Sequence, residues 1–320
     1  MALCTKTRPI ISTSTQVKIY ATIDDVPSDW EAAQPADNCF LHRAYLKVVE
    51  NSPSVDITFS YLIFYKNDLP VGVGFCPLYH YRTKESIRSL REKPESFDLK
   101  RWVKRTLASP LNFNLLIIGN NLLTGEHGIY FNENYISRKA YVGTLLEAIP
   151  QLVNNLTQRG HRTHGYFIKD LEEDRKEGRQ FLSDKNFHEF TFQPNMFMPI
   201  RKEWNDFEEY LSCMTSKART RVKKSLEKGK ELELKELNAT QIETLLPEIF
   251  QLFSNVADRV SFNMVQLKPN YFVDLKKELG DRFRLYAYFV GSGTDRKMVA
   301  FHTAFVRGAI YDAHFLGMDH

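Results

Sequence analysis

The sequence predicts an α/β (α+β) protein built from two modules of similar plan. The length of 320 residues favours two hydrophobic cores over one. Residues 61–80 and 285–306 share one pattern, which is an aromatic-rich strand, a polar turn and an apolar strand with small residues. After Arg201 the sequence changes to helical patterns without a Gly/Ser-rich linker. We therefore expect one module at 1–200 and a second at 201–320.

The first module begins with a β-hairpin pattern. Residues 57–81 are rich in β-branched and aromatic residues, and Lys66-Asn67-Asp68 supplies the turn. The charged segment 82–109 has the apolar spacing of an amphipathic helix. Gly160 is a typical helix-ending residue. The remaining elements predicted for this module are a strand at 113–118, a loop at 119–128, a helix at 133–158, a strand at 162–169, a helix at 174–184 and a strand at 188–199.

The second module is predicted to begin with helices and to end with strands. A two-residue turn at Arg307-Gly308 would place residues 306 and 309 opposite each other. The predicted helices lie at 204–213, 215–230, 239–259 and 268–279, and the predicted strands at 282–290, 297–306 and 309–317.

The composition excludes several classes of function. The 43 basic and 39 acidic residues leave a net charge of +4, which is mild for general nucleic-acid binding. Four widely separated cysteines favour neither a zinc site nor a disulfide scaffold, and the sequence has no apolar leader and no run of roughly 18 apolar residues. There is no P-loop, dinucleotide fingerprint or H-E-x-x-H, so kinase, dehydrogenase and metalloprotease functions are set aside. We expect a soluble, cytoplasmic protein.

The densest positive charge lies at 217–230, where seven basic side chains accompany the single acid Glu227. The apolar spacing predicts a basic helix at 215–230. Its surface would carry a row of like charges at i, i+4 spacing, which repel one another unless an anion compensates them. A solvated basic face is the alternative. The candidates for binding a phosphate-bearing or acidic donor are Lys217, Arg219, Arg221, Lys223 and Lys224.

Four segments together resemble a known family. They are FEEYLSCM at 207–214, SKARTRVKK at 216–224, MVAFHTAFVRGAIYDAHFLG at 298–317 and GNNLLTGEHG at 119–128. The chain resembles the duplicated GNAT-fold proteins (acyl-CoA N-acyltransferase superfamily) that are related to the Fem-type aminoacyl transferases.

The resemblance implies two GNAT-like modules, each a mixed, mostly antiparallel sheet flanked by helices. It also implies transfer of an acyl group to an amine without a metal. Two features depart from the family pattern. Gly119, Gly125 and Gly128 are spaced more widely than in the usual pyrophosphate loop, and the sequence ends at His320, where a second module would continue. The second module is therefore expected to be incomplete at its C-terminus.

Acyl transfer to an amine needs a base and a proton donor, and the sequence offers three places for them. Strand alternation puts Asp312 and His314 on one face of the last hairpin and His302 and Tyr311 on the other. The loop at 119–128 adds Glu126 and His127, which are candidates for binding the amine. The sequence does not choose between the two faces.

The first hypothesis for function is an N-acyltransferase. It would move an acyl group from acyl-CoA or an acylated carrier protein to an amine of a lipid or cell-envelope precursor. Aminoacyl transfer from aminoacyl-tRNA is the alternative, with tRNA the less favoured partner because of the low net charge. A non-catalytic acyl- or lipid-binding protein on a degenerate GNAT scaffold is the third. Basic and aromatic residues at 97–107 predict peripheral membrane contact, or an ordinary surface helix.

Overall fold

The structure is a computed structural model that describes residues 15–53, 56–81, 112–171, 182–185, 187–190, 195–259 and 267–319. The chain divides into two compact units. Unit 1 comprises residues 1–189 with 264–267, and unit 2 comprises residues 190–263 with 268–320. The described residues form three four-stranded sheets, mostly antiparallel, together with helices. The predicted α/β (α+β) class is confirmed, whereas the module boundary at 200 stays a prediction.

The described residues of unit 1 form eight strands and three α-helices. In chain order they are β1 (Gln16–Tyr20), α1 (Asp29–Ala33), α2 (Arg43–Asn51), β2 (Ile57–Thr58), β3 (Tyr61–Lys66), β4 (Leu69–Phe75), β5 (Leu78–Tyr81), β6 (Phe113–Ile118), β7 (Ile129–Phe131), α3 (Arg138–Gln158) and β8 (Gly165–Ile168).

The strands of unit 1 form two sheets, and the chain passes from one to the other several times. The first has the order β1-β3-β4-β7 and the second β2-β5-β6-β8, in which β6 and β8 run parallel. The predicted hairpin is present as β3 and β4. Its turn residues Asn67 and Asp68 have φ of 51° and 61°, as a tight hairpin turn requires.

The long helix α3 contributes much of the core of unit 1. Tyr141, Leu145, Ile149 and Leu152 are buried at the one-turn spacing that an amphipathic helix predicts. They belong to the same hydrophobic cluster as buried side chains of β3, β4 and β6. The helix begins later than the predicted residue 133, because the Ser137 hydroxyl accepts a hydrogen bond from the Ala140 amide and caps the helix there.

The described residues of unit 2 begin with helices and end with a β-meander. In chain order they are α4 (Phe207–Ser212), α5 (Ser216–Lys228), β9 (Glu233–Glu236), α6 (Ala239–Thr244), α7 (Leu246–Ala257), α8 (Tyr271–Leu279), β10 (Phe283–Val290), β11 (Lys297–Arg307) and β12 (Ile310–Met318).

The sheet of unit 2 has the antiparallel order β12-β11-β10-β9, and helices pack against one of its faces. Along β10, side chains alternate between buried and half-buried positions. Rings of the buried face meet rings of α7 and α8, as in the pairs Phe301–Phe272 and Phe315–Phe253, whose centroids lie 5.5 and 5.3 Å apart. We call this the inner face, and the opposite side of the same sheet the outer face.

Two predicted elements of unit 2 are wrong in detail, and one strand was not predicted. The helix expected at 239–259 is two helices, because Pro247 lacks the amide hydrogen that a continuous helix needs and instead lies in the first turn of α7. The last hairpin pairs Arg307 with Ile310 and Val306 with Tyr311, not 306 with 309. The short strand β9 was not predicted, because its sequence ELKE has few strand-forming residues.

The strand predicted at 188–199 is also wrong for the residues that the structure describes. Residues 188–190 and 195–199 have no regular secondary structure. Pro199 removes a backbone donor that a strand would use, and Met196 and Phe197 are 91% and 84% exposed. The helix predicted at 82–109, with its proposed membrane contact at 97–107, lies outside the described residues, as does most of the helix predicted at 174–184. No helix in the described part of the chain is long and apolar enough to cross a bilayer.

Two glycine substitutions in unit 1 test its packing. A Cβ at Gly128 would lie 2.3 Å from the Gly119 Cα and 2.6 Å from the Asn120 amide nitrogen, and neither backbone atom can rotate away. Gly143 lies inside α3, where an added methyl group would have nothing within 4 Å. We expect Gly128→Ala to lower the free energy of unfolding by about 2 kcal/mol or more and Gly143→Ala to raise it by about 1 kcal/mol. Urea unfolding measures both, and equal stabilities would contradict this packing.

Candidate functional site

Helix α5 lies at the surface and carries the densest charge of unit 2. None of its thirteen residues is buried. Thr215 caps the helix by accepting a hydrogen bond from the Ala218 amide, at 3.4 Å. The apolar residues of the helix do not anchor it in the core, since Leu226 is 51% exposed. The helix therefore stands on the surface of the unit.

Four cations of α5 share one side of the helix. Their spacing of four, three and four residues places them in a row about 16 Å long. None of the four forms an ion pair with another residue in the described part of the chain, whereas the neighbouring Lys223 pairs with Glu208 at 3.0 Å. We call these residues the cationic row: Lys217, Arg221, Lys224 and Lys228.

The remaining predicted donor-binding residues differ from the row. Lys223 is engaged by Glu208 on α4, and Arg219 is half-buried. The structure therefore separates the five predicted residues. Lys217, Arg221 and Lys224 present exposed positive charge. Lys228 is exposed as well and continues the same spacing, but it was not among the donor-binding residues predicted from the sequence.

The outer face of the unit 2 sheet holds His302 among three tyrosines. The Tyr286 ring stacks on the imidazole with centroids 5.0 Å apart and planes at 17°. The Tyr288 hydroxyl lies 3.2 Å from His302 Nδ1, and the Tyr311 hydroxyl lies 3.4 Å from Nε2. Burial lowers the pKa of His302, so its imidazole is neutral near pH 7. We call these four residues the tyrosine–histidine cluster.

Tyr311 lies at the open side of this cluster. It is 54% exposed, and its hydroxyl is within hydrogen-bonding distance of the imidazole. Burial raises the pKa of Tyr311, and the nearby Tyr286 and Tyr288 raise it further, so the phenol keeps its proton at neutral pH. A neutral imidazole beside a protonated phenol is a pair that can accept one proton and donate another.

The inner face holds Asp312 and His314 in a structural setting. Arg307 binds both carboxylate oxygens of Asp312, at 2.6 and 3.3 Å. His314 lies between the Tyr271 hydroxyl and the Thr303 hydroxyl, each 3.3 Å from a ring nitrogen, and burial lowers the pKa of His314 to about 3. An imidazole with that pKa holds a proton too weakly to act as a base at pH 7. The outer face is therefore the better candidate for acid–base chemistry.

A β-bulge interrupts the pairing of β11 with β12 next to His314. Thr303 faces both His314 and Phe315, and its hydroxyl accepts from the Phe315 amide at 2.9 Å. The extra residue of β12 shifts the register of the strand pair by one residue, so Leu316 lies opposite His302. Strand alternation correctly predicted the faces of Asp312, His314, His302 and Tyr311, but it does not reveal a bulge.

The loop at 119–128 in unit 1 is tightly folded against its surroundings. The Gly125 amide donates to the Asp170 carboxylate at 2.9 Å, and Lys169 forms an ion pair with the same carboxylate. The His127 ring lies 4.8 Å from the ring of Phe40, and Glu126 is half-buried. An amide and an ammonium group already occupied by a carboxylate do not fit the binding of a pyrophosphate.

The structure brings together only part of the predicted site. His302 and Tyr311 meet in one cluster with Tyr286 and Tyr288, which were not predicted to belong to it. The signal for these two was present, since they alternate with the apolar residues of β10, but the pairing of Tyr286 with His302 required the register of β10 on β11. The other predicted residues lie elsewhere: Glu126 and His127 in unit 1, and Asp312 and His314 on the opposite face of the sheet.

Comparisons with known proteins place the chain in no family. No protein-family model and no curated protein matches the sequence. Among solved structures, the crystal structure of FemX superposes with a TM-score of 0.49 and 9% sequence identity, over 95% of this chain and 80% of that chain. A likeness at this level carries no argument about family or activity. The resemblance to GNAT-fold proteins therefore stays a prediction.

The inner-face histidine predicts a pH dependence of stability. The pKa of His314 in the folded protein, about 3, lies below its ordinary value of 6.5. Between these two pH values the unfolded chain binds a proton at His314 and the folded chain does not. This loss of stability sets in as the pH falls below about 6.5 and is complete near pH 3. We expect His314→Phe, which cannot be protonated, to reduce the drop in melting temperature between pH 6.5 and pH 4. An unchanged drop would contradict the burial of the imidazole.

Proposed function

We propose that the protein is a transferase that moves an aminoacyl group from an aminoacyl-tRNA to an amine. The observation that supports this most is the cationic row of α5. A row of like charges that forms no ion pair destabilises a helix, and the phosphates of an RNA backbone would relieve that repulsion. The reaction class comes from the resemblance of the sequence to Fem-type aminoacyl transferases.

The dimensions of the cationic row favour a polyanion as donor. Its four side chains spread over about 16 Å along the helix axis, which suits successive phosphates of a nucleic-acid strand. The pyrophosphate of coenzyme A is a compact group, and proteins bind such groups in loops of free backbone amides. In the loop at 119–128, the Gly125 amide already binds Asp170. Acyl transfer from acyl-CoA or an acylated carrier protein is therefore the second hypothesis.

His302 is the proposed acid–base group of the reaction. Attack on the ester requires an amine without its extra proton, and a neutral imidazole can take that proton up. The Tyr311 hydroxyl, 3.4 Å from His302 Nε2, is placed to exchange a proton with the imidazole as the leaving ribose hydroxyl forms. The bond to the ribose oxygen breaks, the new amide bond forms, and one proton passes from the amine to the leaving oxygen.

A triple charge reversal in α5 tests donor binding. We expect Lys217→Glu, Arg221→Glu and Lys224→Glu together to weaken binding of bulk tRNA by tenfold or more, because three phosphate contacts become repulsions. The matched control carries Lys18→Glu, Arg162→Glu and Lys268→Glu, which change the net charge equally at exposed positions outside α5. Filter binding measures both variants. Equal affinities of the two triple variants would exclude α5 as the tRNA-binding surface.

The acid–base role has a separate test. We expect His302→Gln to lower single-turnover release of the aminoacyl group from charged tRNA by 10²-fold or more, while tRNA affinity stays within twofold of wild type. Tyr311→Phe removes only the hydroxyl and should have a smaller effect. The amine acceptor is supplied as an extract of cell-envelope precursors. A His302→Gln variant with wild-type release would show that another group accepts the proton.

A further inference from the structure

The outer face of the unit 2 sheet is rich in aromatic rings. The described helices α7 and α8 pack against the inner face, and the outer-facing side chains of β10, together with His302 on β11, are half-buried. Tyr286 and Tyr288 lie on β10 and His302 on β11, and the exposed Tyr311 lies on the adjoining edge strand. Four π systems therefore share one face of a four-stranded antiparallel sheet.

The geometry of the cluster shows that this surface already supports ring stacking. Tyr286 and His302 are nearly parallel, at 17°, with centroids 5.0 Å apart. Small side chains leave space beside the rings, since Ala300 lies opposite Tyr288 and Ala313 lies two residues beyond Tyr311 on the same strand. A flat heteroaromatic ring could stack on the exposed ring of Tyr311 at this place.

Polar groups on the same face argue against a purely apolar occupant. The Tyr286 hydroxyl accepts from Arg284 Nη1 at 3.3 Å, and the same guanidinium pairs with Glu236 at 3.1 Å. Tyrosine hydroxyls, an imidazole and a guanidinium offer donors and acceptors around the rings. A planar ring with its own polar edges satisfies both parts of this surface, which an acyl chain does not.

The positive charge of α5, which belongs to the same unit, indicates that the planar ring is a nucleobase. The cationic row of α5 has no acidic partner within the described residues and attracts phosphates. Surfaces that combine aromatic side chains for stacking with cations for the backbone bind single-stranded nucleic acid. The outer face supplies the aromatic side chains, and the cationic row supplies the cations.

We propose that the tyrosine–histidine cluster is a stacking platform for nucleobases of a single-stranded RNA end. This proposal rests on the proposed function, since the unpaired 3′ end of a charged tRNA is the RNA that would deliver an aminoacyl group to His302. Tyr286 and Tyr311 stack on the bases, and the polar groups beside them contact base edges. The platform thereby holds the end of the donor in place while α5 binds its phosphates.

The test compares bases with phosphates directly. A fluorescent single-stranded oligoribonucleotide ending in CCA and an abasic strand of the same length are titrated with the full chain, and anisotropy reports binding. We expect wild type to bind the normal strand at least tenfold more tightly than the abasic strand. Tyr286→Leu should abolish this preference, Tyr286→Phe should keep it, and the control Tyr166→Leu on β8 should leave it unchanged.

The outcomes separate the platform from the proposed function. Equal binding of normal and abasic strands by wild type overturns the platform, and so does a preference that survives Tyr286→Leu in a folded protein. Loss of tRNA binding on α5 charge reversal would still support the proposed function in either case. Conversely, a base preference that depends on Tyr286, together with tRNA binding that ignores α5, keeps the platform and removes the proposed donor surface. Circular dichroism confirms that each variant is folded.

Discussion

The side chains of β10 that point toward the helices of unit 2 are Phe283, Leu285, Ala287 and Phe289, and all four are buried. They are buried on the side of the sheet where Phe272 and Phe253 pack, and this side is the inner face. A shift of the strand register by one residue would expose all four side chains, so their burial fixes the orientation of the sheet. Everything on the outer face follows from that choice. Tyr286, Tyr288 and His302 are held at the surface by the packing on the other side of their own strands.

The separation of the unit 2 sheet into an inner and an outer face explains why His302 and His314, twelve residues apart, have different chemistry. His314 is enclosed by the inner face, and its burial lowers its pKa to about 3. His302 is half-buried, and burial lowers its pKa as well, so both imidazoles are neutral at pH 7. His302 has the exposed phenol of Tyr311 beside it, whereas the two hydroxyl groups that contact His314 belong to the buried residues Tyr271 and Thr303.

The cationic helix is governed by a different constraint, because α5 has no buried residue. Its row of four like charges costs a few tenths of a kcal/mol for each i, i+4 pair. Acidic partners reach Lys223 and Lys230 beside the row, which leaves the row itself uncompensated within the described residues. In the proposed function, the phosphate backbone of the RNA would compensate these charges. The proposed function therefore joins an electrostatic surface on α5 to a stacking surface on the sheet, two interactions with different salt dependence.

Much of the fold could be predicted from local patterns, and the site could be predicted only in part. Periodicity located α3, α5 and the β3–β4 hairpin, because each has a strong local signal in apolar spacing or turn residues. It failed at 188–199, where aromatic residues resemble a strand but Pro199 lacks a backbone donor, and at β9, which forms because β10 offers it an edge. The cluster around His302 depends on register between strands, which a single sequence does not encode locally. The bulge at Thr303 is a second feature of this kind.

Amide hydrogen exchange along α5 tests the central claim most directly. In the free protein, residues 216–228 should exchange rapidly, because the helix has no buried residue and repels itself. Saturation with bulk tRNA at low salt should slow exchange across these residues, and raising the salt concentration should restore the fast rate. Unchanged exchange at 216–228 in a protein that is saturated with tRNA would contradict the account, since the RNA would then be bound elsewhere.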